Sequence, residues 1–270
     1  EHTQGNVELR KQIAKLAFNW GGNIKADDII ITSGCLEAIS ICLKAVTKPG
    51  DTVAVESPTY FGIYQAIESL DLKVVEITTD PIAGVDLDHL QKAIKKFSVK
   101  ACVFIPSFNN PLGSCMPDEK KKKLVELITR YNIPLIEDDI YGELYFGKIR
   151  PKNCKYYDTK GLVMYCCSLS KSLTPGYRIG WVMPGKFFEP VKQLKRIQNI
   201  SSPTLTQAAM AHYLKHGRYE FHLKNLRKAL HTQSLRYVQA IIKYFPADTK
   251  VSRPHGGFIL WLELNKKVNA

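Results

Sequence analysis

The hydrophobic positions of this chain come in short runs, each followed by a turn and then by a longer amphipathic segment. The runs do not alternate with polar residues, which is typical of strands that are buried on both faces of a sheet. Six runs are predicted as strands, at 29–32, 51–58, 73–77, 100–106, 133–138 and 161–169. Strands that alternate with helices predict an α/β fold with a mainly parallel, doubly wound sheet.

The pattern becomes helical after Trp181. The segment 186–200 is predicted as a helix, and 204–245, which contains no internal proline, as one or two helices. The last segment, "VSRPHGGFILWLELN", predicts a turn and then a strand without a following partner. Because a strand needs neighbours to pair with, we expect either that the chain stops short of a complete C-terminal domain or that its two termini cover each other.

Composition places the chain among folded globular proteins. With 270 residues, 45% of them hydrophobic and 10% aromatic, it can bury a sizeable core. It contains no apolar run of transmembrane length, and its first residues do not resemble a signal peptide, so a soluble cytoplasmic protein is expected. The seven cysteines are scattered among apolar segments, which predicts reduced core cysteines, Cys166 and Cys167 among them.

The formal net charge of +13 favours acidic partners without choosing among nucleic acids, phosphorylated ligands and acidic protein surfaces. The densest basic cluster, at 120–123, begins an amphipathic helix, and a solvated helix face is favoured there over a nucleic-acid patch.

Polar residues follow most of the predicted strands. In open parallel sheets, ligands bind beyond the carboxyl ends of the strands, so these residues are expected to share one crevice. In chain order they are Gly34, Cys35 and Leu36 at a helix start, Tyr60, Asn110, Asp138 with Tyr141, and Ser168, Ser170 and Lys171 with Arg178.

As a set these groups suit pyridoxal 5'-phosphate. The aldehyde of this cofactor requires an amine, its phosphate an anion site, and its ring nitrogen a carboxylate. Lys171, the Gly34 and Arg178 site, and Asp138 can supply them. The alternative is that Lys171 is an ordinary surface lysine. It is less favoured, because Arg178, Asp138 and Asn110 follow their strands at positions that place them at the same edge of the sheet as the lysine.

The same motifs resemble those of the fold-type I, aminotransferase class I/II family. "SLSKSLTPGYRIGW" is similar to the family signature S-x-S-K-x-x-x-P-G-x-R-x-G, and "NNPLG", "DDIY" and "SPTY" resemble further family segments in the same order. The resemblance covers nearly the whole chain.

The resemblance implies roles for individual residues. Lys171 is expected to form a Schiff base with the cofactor and to shuttle a proton, Asp138 to pair with the pyridinium, and Tyr60 to stack on the ring. These three are the implied catalytic residues. The ring oxygen is assigned to Asn110 and Tyr141, and the phosphate to the amides of Gly34, Cys35 and Leu36 together with Ser168, Ser170 and Arg178. The histidines have no other potential metal ligands near them in the sequence, and no metal is assigned.

Within the family, "TSGCLEAISICLKAVTKPGDTVAVESPTYFG" is most similar to the aminotransferase-like domains of MocR/GntR-type transcriptional regulators. The resemblance therefore implies either a transaminase acting on amino acids and 2-oxo acids, or an effector and dimerisation domain that reaches DNA only through a winged-helix domain absent from this chain. Both alternatives imply a homodimer and no membrane partner.

The expected division is a cofactor-binding large domain at 1–235 and the start of an incomplete small domain at 236–270. The family arginine that clamps the substrate carboxylate is expected beyond Ala270.

Overall fold

A computed structural model describes residues 2–265. Its centre is an eight-stranded sheet in the order β1-β8-β7-β6-β5-β2-β3-β4, and two further strands pair near the C-terminus. The strands are β1 (Ile30–Thr32), β2 (Thr52–Ser57), β3 (Lys73–Asp80), β4 (Gly84–Val85), β5 (Ala101–Phe104), β6 (Leu135–Asp138), β7 (Val163–Ser168), β8 (Gly180–Met183), β9 (Lys250–Val251) and β10 (Leu262–Glu263). The α-helices are α1 (Val7–Leu16), α2 (Cys35–Val46), α3 (Phe61–Glu68), α4 (Leu87–Phe97), α5 (Asp118–Tyr131), α6 (Cys154–Tyr157), α7 (Phe188–Asn199), α8 (Thr204–Lys215) and α9 (Arg218–Tyr244).

The five central strands β3, β2, β5, β6 and β7 run parallel. Antiparallel pairs close the sheet at both ends, since β8 lies between β7 and β1, and β4 pairs with β3. The predicted α/β fold with a mainly parallel, doubly wound sheet is therefore confirmed. As the carboxyl ends of the parallel strands lie at one edge, the loops that follow them meet there.

Both faces of the sheet are buried, as the unbroken apolar runs predict. In β7, Met164 and Cys166 pack on one face, in a cluster that includes residues of α2, α3 and α7. Tyr165 and Cys167 pack on the other face, against residues of α1 and α8. Alternate residues of one strand thus enter two cores, which explains why the run shows no polar alternation.

Several elements were not predicted from the sequence. The segment around Trp181 is strand β8, which precedes the helix predicted at 186–200, and that helix is observed as α7. Helix α1, which begins at Val7 and whose N-cap residue Asn6 accepts the N–H of Leu9, was not predicted. The segment 204–245 holds two helices, separated at Gly217, whose φ is +71°. The C-terminal strand β10 has its partner, β9, before it in the chain.

The basic cluster at 120–123 is not wholly a solvated face. Lys121 is fully buried. Its Nζ donates to Ser107 Oγ at 2.9 Å and to the carbonyl of Lys152 at 2.6 Å. The expectation is therefore wrong for Lys121, because this lysine lies on the side of α5 that packs on the sheet.

All seven cysteines lie within the described part of the chain and are free thiols, as predicted. Among residues 2–265, no helix is both long and apolar enough to cross a membrane.

Candidate functional site

A cavity of about 280 Å³ lies at the carboxyl ends of the parallel strands. Nine of the eleven residues that the sequence places in the site line it, namely Cys35, Leu36, Tyr60, Asn110, Asp138, Tyr141, Ser170, Lys171 and Arg178. Four apolar or rigid residues that sequence reasoning did not select complete the lining: Ile39, Ile105, Ile140 and Pro175. No local motif marks these four, because they are neighbours of the polar residues only in the fold.

Each polar group reaches the cavity from the end of a strand. Asp138 is the last residue of β6, and Lys171 follows β7 by three positions. Tyr60 caps the start of α3 after β2, and Cys35 is the first residue of α2 after β1. Positions as far apart as 35 and 178 therefore share one wall of the cavity.

Lys171 is exposed and opens into this cavity. Its Nζ lies 5.9 Å from the centroid of the Phe258 ring, and that ring contacts Tyr141 edge to face at 5.4 Å between centroids. Phe258, from the segment after α9, therefore lies close to both Lys171 and Tyr141, which sequence reasoning did not foresee.

Asp138 is buried, with 5% of its surface exposed. Its Oδ1 accepts hydrogen bonds from the thiol of Cys35 at 3.2 Å and from the N–H of Ile140 at 3.1 Å. Burial raises the pKa of Asp138 to about 6, while the thiol, the N–H group and the charge of Lys171 act in the opposite direction. The carboxyl is therefore ionised at neutral pH.

Tyr141 and Asn110 stand beside this carboxyl. Burial and the charge of Asp138 raise the pKa of Tyr141 to about 12, so the phenol keeps its proton and can donate. The neighbouring Asn109 serves the loop instead, because its Nδ2 donates to Glu56 Oε2 at 3.0 Å and its Oδ1 accepts the N–H of Leu112 at 3.1 Å.

A cradle for an anion lies at the start of α2. The first N–H groups of a helix have no carbonyl partner within the helix and carry the positive end of its dipole. Arg178 crosses this start, with Nη2 donating to the carbonyl of Ser33 at 2.7 Å and Nη1 to Ser170 Oγ at 3.5 Å. Gly34 has a φ of +118°, and a Cβ on it would lie 2.4 Å from Arg178 Nη2. Only glycine leaves room for the guanidinium here.

Two predicted site residues do not line the cavity. Gly34 lies behind the guanidinium of Arg178. Ser168 is buried at the end of β7, and its Oγ accepts the N–H of Ser170 at 3.3 Å. In this position the Ser168 hydroxyl supports the loop that carries Lys171.

The acids on either side of Asp138 are both buried. Glu137 accepts the N–H groups of Cys154 at 2.6 Å and Lys155 at 3.0 Å, so it does cap the start of α6, from a buried position. Asp139 accepts Arg150 Nη2 and the hydroxyl of Tyr165, the latter at 2.9 Å. Both faces of β6 are covered, so neither acid can reach solvent.

Arg150 extends this buried network toward helix α9. Its Nε donates to Glu143 Oε1 at 2.9 Å, and Arg227 of α9 donates to the Glu143 carbonyl at 2.7 Å. Sequence reasoning missed the network, since its members are ordinary charged residues whose spacing shows no motif. Among residues 2–265, no group of three or more histidine, cysteine, aspartate or glutamate side chains is placed to hold a metal ion.

Comparisons with known proteins agree with this geometry. The sequence pattern of the family described as aminotransferase class I and II matches residues 1–270. The chain is 42% identical over 266 residues to the uncharacterized HTH-type transcriptional regulator YdcR of Escherichia coli K12, covering 98% of this chain and 57% of YdcR. The chain thus spans little more than half the length of that relative.

Solved structures of aminotransferases share the fold. The crystal structure of LysN, an α-aminoadipate aminotransferase from Thermus thermophilus complexed with N-(5'-phosphopyridoxyl)-L-leucine, superposes with a TM-score of 0.93 at 27% identity, covering 100% of this chain and 69% of LysN. A kynurenine aminotransferase from Pyrococcus horikoshii, in complex with PMP, gives a TM-score of 0.92 at 31% identity, covering 99% and 68%.

Proposed function

The chain belongs to the aminotransferase class I and II family, and from this premise we propose that it binds pyridoxal 5'-phosphate and exchanges an amino group between an amino acid and a 2-oxo acid. The observation that carries the proposal is the single cavity into which Lys171, Asp138 and Arg178 converge from separate strand ends. The cofactor of the LysN and kynurenine aminotransferase complexes supports the same conclusion.

The residues present fit this cofactor. A phosphate suits the start of α2, where helix N–H groups and a guanidinium meet and where a Cβ on Gly34 would close the cradle. A protonated ring nitrogen suits Asp138, a buried carboxylate that lines the cavity. An aldehyde requires a primary amine, and Lys171 lines the same cavity.

When bound, pyridoxal 5'-phosphate supplies an electron sink that stabilises negative charge at the substrate Cα. The chain's own groups bind, orient and move protons. The amine of Lys171 accepts and returns the Cα proton. It lines the cavity, and it takes part in none of the ion pairs found among the described residues. Asp138, held as a carboxylate, fixes a positive charge at the floor of the cavity.

The remaining groups orient the ring. Tyr141 donates its phenolic hydrogen and Asn110 its amide hydrogens, so both can bind a ring oxygen. Tyr60 offers an aromatic face at the cavity wall. Arg178 and the α2 amides hold the anionic end and thereby set the distance between the ring and Lys171.

The experiment for this proposal is a spectroscopic panel. Purified protein loaded with pyridoxal 5'-phosphate is mixed with individual amino acids, and then with individual 2-oxo acids. We expect the visible absorbance of the bound cofactor to fall with an amino acid and to return with an oxo acid. A protein that binds the cofactor but shows no change with any amino acid is not a transaminase.

Cofactor binding should weaken in acid. The pKa of Asp138 is about 6, and only its ionised form attracts a protonated ring nitrogen. Affinity should therefore rise as pH increases through about 6 and fall below it. Equilibrium titration of pyridoxal 5'-phosphate across this range measures the midpoint. Asp138→Asn, which cannot ionise, should lose this acid limb and serves as the control.

Gly62→Ala should weaken cofactor binding without destabilising the fold. A Cβ on Gly62 would lie 2.4 Å from Tyr60 Cε1, so the tyrosine ring must move away from the cavity wall. Alanine is otherwise accepted in helix α3 and tends to stabilise a helix. We expect the affinity for pyridoxal 5'-phosphate to fall roughly three- to tenfold, about the energy of one aromatic contact, and the melting temperature to stay level or rise. Gly147→Ala is the matched control, because its Cβ would meet only the carbonyl of Ile149 at 3.9 Å.

The second candidate function is a regulatory module in which the bound cofactor, or its adduct with an amino compound, sets the conformation of a dimer. The 42% identity to YdcR, and the 57% of that protein that the chain covers, favour it. DNA contact would then belong to a winged-helix segment outside this chain. The encoding reading frame separates the candidates, since a winged-helix segment upstream supports regulation and a start codon directly before Glu1 removes it.

Three further properties remain proposals that rest on the family. They are a division into a large domain at 1–235 and the start of a small domain at 236–270, a homodimer, and a cytoplasmic location. The proposed boundary falls inside the continuous helix α9.

A further inference from the structure

The side chain of Cys35 has no role in the proposed chemistry so far, because only its backbone amide belongs to the anion cradle. Cys35 is 4% exposed and lines the cavity from the first turn of α2. Its Sγ lies 3.2 Å from Oδ1 of Asp138, more than a hundred positions away in the chain, and donates a hydrogen bond to it.

The thiol is held in its donor form. Burial raises the pKa of Cys35 well above the ordinary thiol value, and the neighbouring charge of Asp138 raises it further. The sulfur therefore keeps its hydrogen and is not a nucleophile, since the thiolate is the reactive form of cysteine.

The direction of the hydrogen bonds decides what this thiol does. Among the described residues, the Cys35 S–H and the Ile140 N–H both bind the same carboxyl oxygen, Oδ1. Oδ2 receives neither bond, while Asp138 itself lines the cavity. Two donors on one oxygen fix the rotation of the carboxyl group and favour its ionised form.

We propose that the Cys35 thiol is a positioning residue, which holds Oδ1 of Asp138 so that Oδ2 faces the cavity as a carboxylate for a cationic ring nitrogen. The inference rests on the proposed function for the identity of that ring, but the link between thiol and carboxyl belongs to the protein alone. Serine can supply the same hydrogen bond, whereas alanine cannot.

Other titratable groups surround Asp138 and stay unchanged in the variants below. They are Glu56 of β2, Cys166 of β7, Lys171 after β7, and Asp139 and Tyr141 of its own segment. A difference between variants at position 35 therefore reports the donor at that position.

The experiment compares Cys35→Ala and Cys35→Ser with the wild type, and Cys102→Ala is the matched control. Cys102 is also a fully buried cysteine, in β5, but it packs in a different core. The first readout uses protein without cofactor: carbon NMR of labelled aspartate follows the ionisation of Asp138 against pH. Cys35→Ala should raise the midpoint, because the carboxylate has lost a donor. Cys35→Ser should leave it at or below the wild-type value, and Cys102→Ala should leave it unchanged.

The second readout is affinity for pyridoxal 5'-phosphate. Loss of one hydrogen bond to a charged group should weaken binding by Cys35→Ala about tenfold at neutral pH. Serine should restore most of this loss. A structural role alone would lower the melting temperature of Cys35→Ala, as in Cys102→Ala, without moving either readout.

The outcomes separate this inference from the proposed function. If the wild type binds the cofactor and Cys35→Ala matches Cys102→Ala in both readouts, the positioning role is wrong and the proposed function stands. If the wild type does not bind the cofactor, the proposed function fails, and the NMR midpoints still decide whether the thiol controls Asp138. Should Cys35→Ala not fold, a midpoint in Cys35→Ser above that of the wild type contradicts the role.

Discussion

Lys171→Ala is expected to remove covalent attachment of pyridoxal 5'-phosphate and to lower transamination by more than about a thousandfold, because one amine both holds the cofactor and moves the proton. The fold should be unaffected. The lysine is exposed, and the substitution of an exposed side chain usually changes the free energy of unfolding by less than about 0.5 kcal/mol. Borohydride reduction followed by peptide mass spectrometry measures the attachment, and thermal unfolding measures the stability.

Lys122→Ala is the matched control for this prediction. Lys122 is an exposed lysine on helix α5, remote from the cavity lining. It should behave like the wild type in attachment, activity and stability. Reduced cofactor found on another lysine in the wild type, or unchanged attachment in Lys171→Ala, would show that the cavity is not organised around this amine.

The sequence predicted the cavity better than it predicted the sheet around it. Asp138, Asn110 and Lys171 each follow an apolar run, and the rule that ligands bind beyond the carboxyl ends of parallel strands is enough to bring them together. The rule depends only on strand direction. It therefore holds even though the prediction contained neither the strand order nor β8.

Strand β8 was missed for a physical reason. It is only four residues long, begins at Gly180, and runs antiparallel between β7 and β1. Short apolar segments do not distinguish strand from helix by periodicity, so only the pairing partners decide. Gly180 is needed for that pairing, since a Cβ on it would lie 2.5 Å from the carbonyl carbon of Gly34. This close approach brings the loop of Arg178 onto the start of α2.

Contacts between distant charged residues were also beyond sequence reasoning. Lys121 resembles its neighbours in a basic cluster, yet it is buried because the fold places a carbonyl and a hydroxyl beside its amine. In the sequence Asp139 looks like an acidic residue without a role beside Asp138, yet in the structure it forms an ion pair with Arg150. The burial of a charged side chain can be predicted only when its partner is known, because burying an unpaired charge costs a large free energy of desolvation.

Arg150→Met should destabilise the protein by about 3–5 kcal/mol, the usual result of breaking a buried ion pair from one side. The side chain of Arg150 is 2% exposed. Its two ion-pair partners are also shielded from solvent, with the side chain of Asp139 0% exposed and that of Glu143 11% exposed. Burial acts against its charge, but the two carboxylates outweigh burial and raise the pKa of Arg150 well above its ordinary value. Without the guanidinium, the carboxylate of Asp139 keeps only the hydroxyl of Tyr165 among the described residues, and its Oδ1 is already buried without a hydrogen-bond partner there.

The double variant Arg150→Met with Asp139→Asn decides whether the loss of stability in Arg150→Met comes from the unpaired charge left on Asp139. If it does, neutralising Asp139 should recover more than about 1 kcal/mol of the loss, as expected for directly coupled residues. Chemical denaturation of the four proteins of the cycle gives the coupling energy, and additive losses would contradict the assignment.

Lys250→Ala is the surface control, because its pair with Glu263 is exposed and should contribute less than about 1 kcal/mol. Since Asp139 follows Asp138 directly, Arg150→Met should also weaken binding of pyridoxal 5'-phosphate, whereas Lys250→Ala should not.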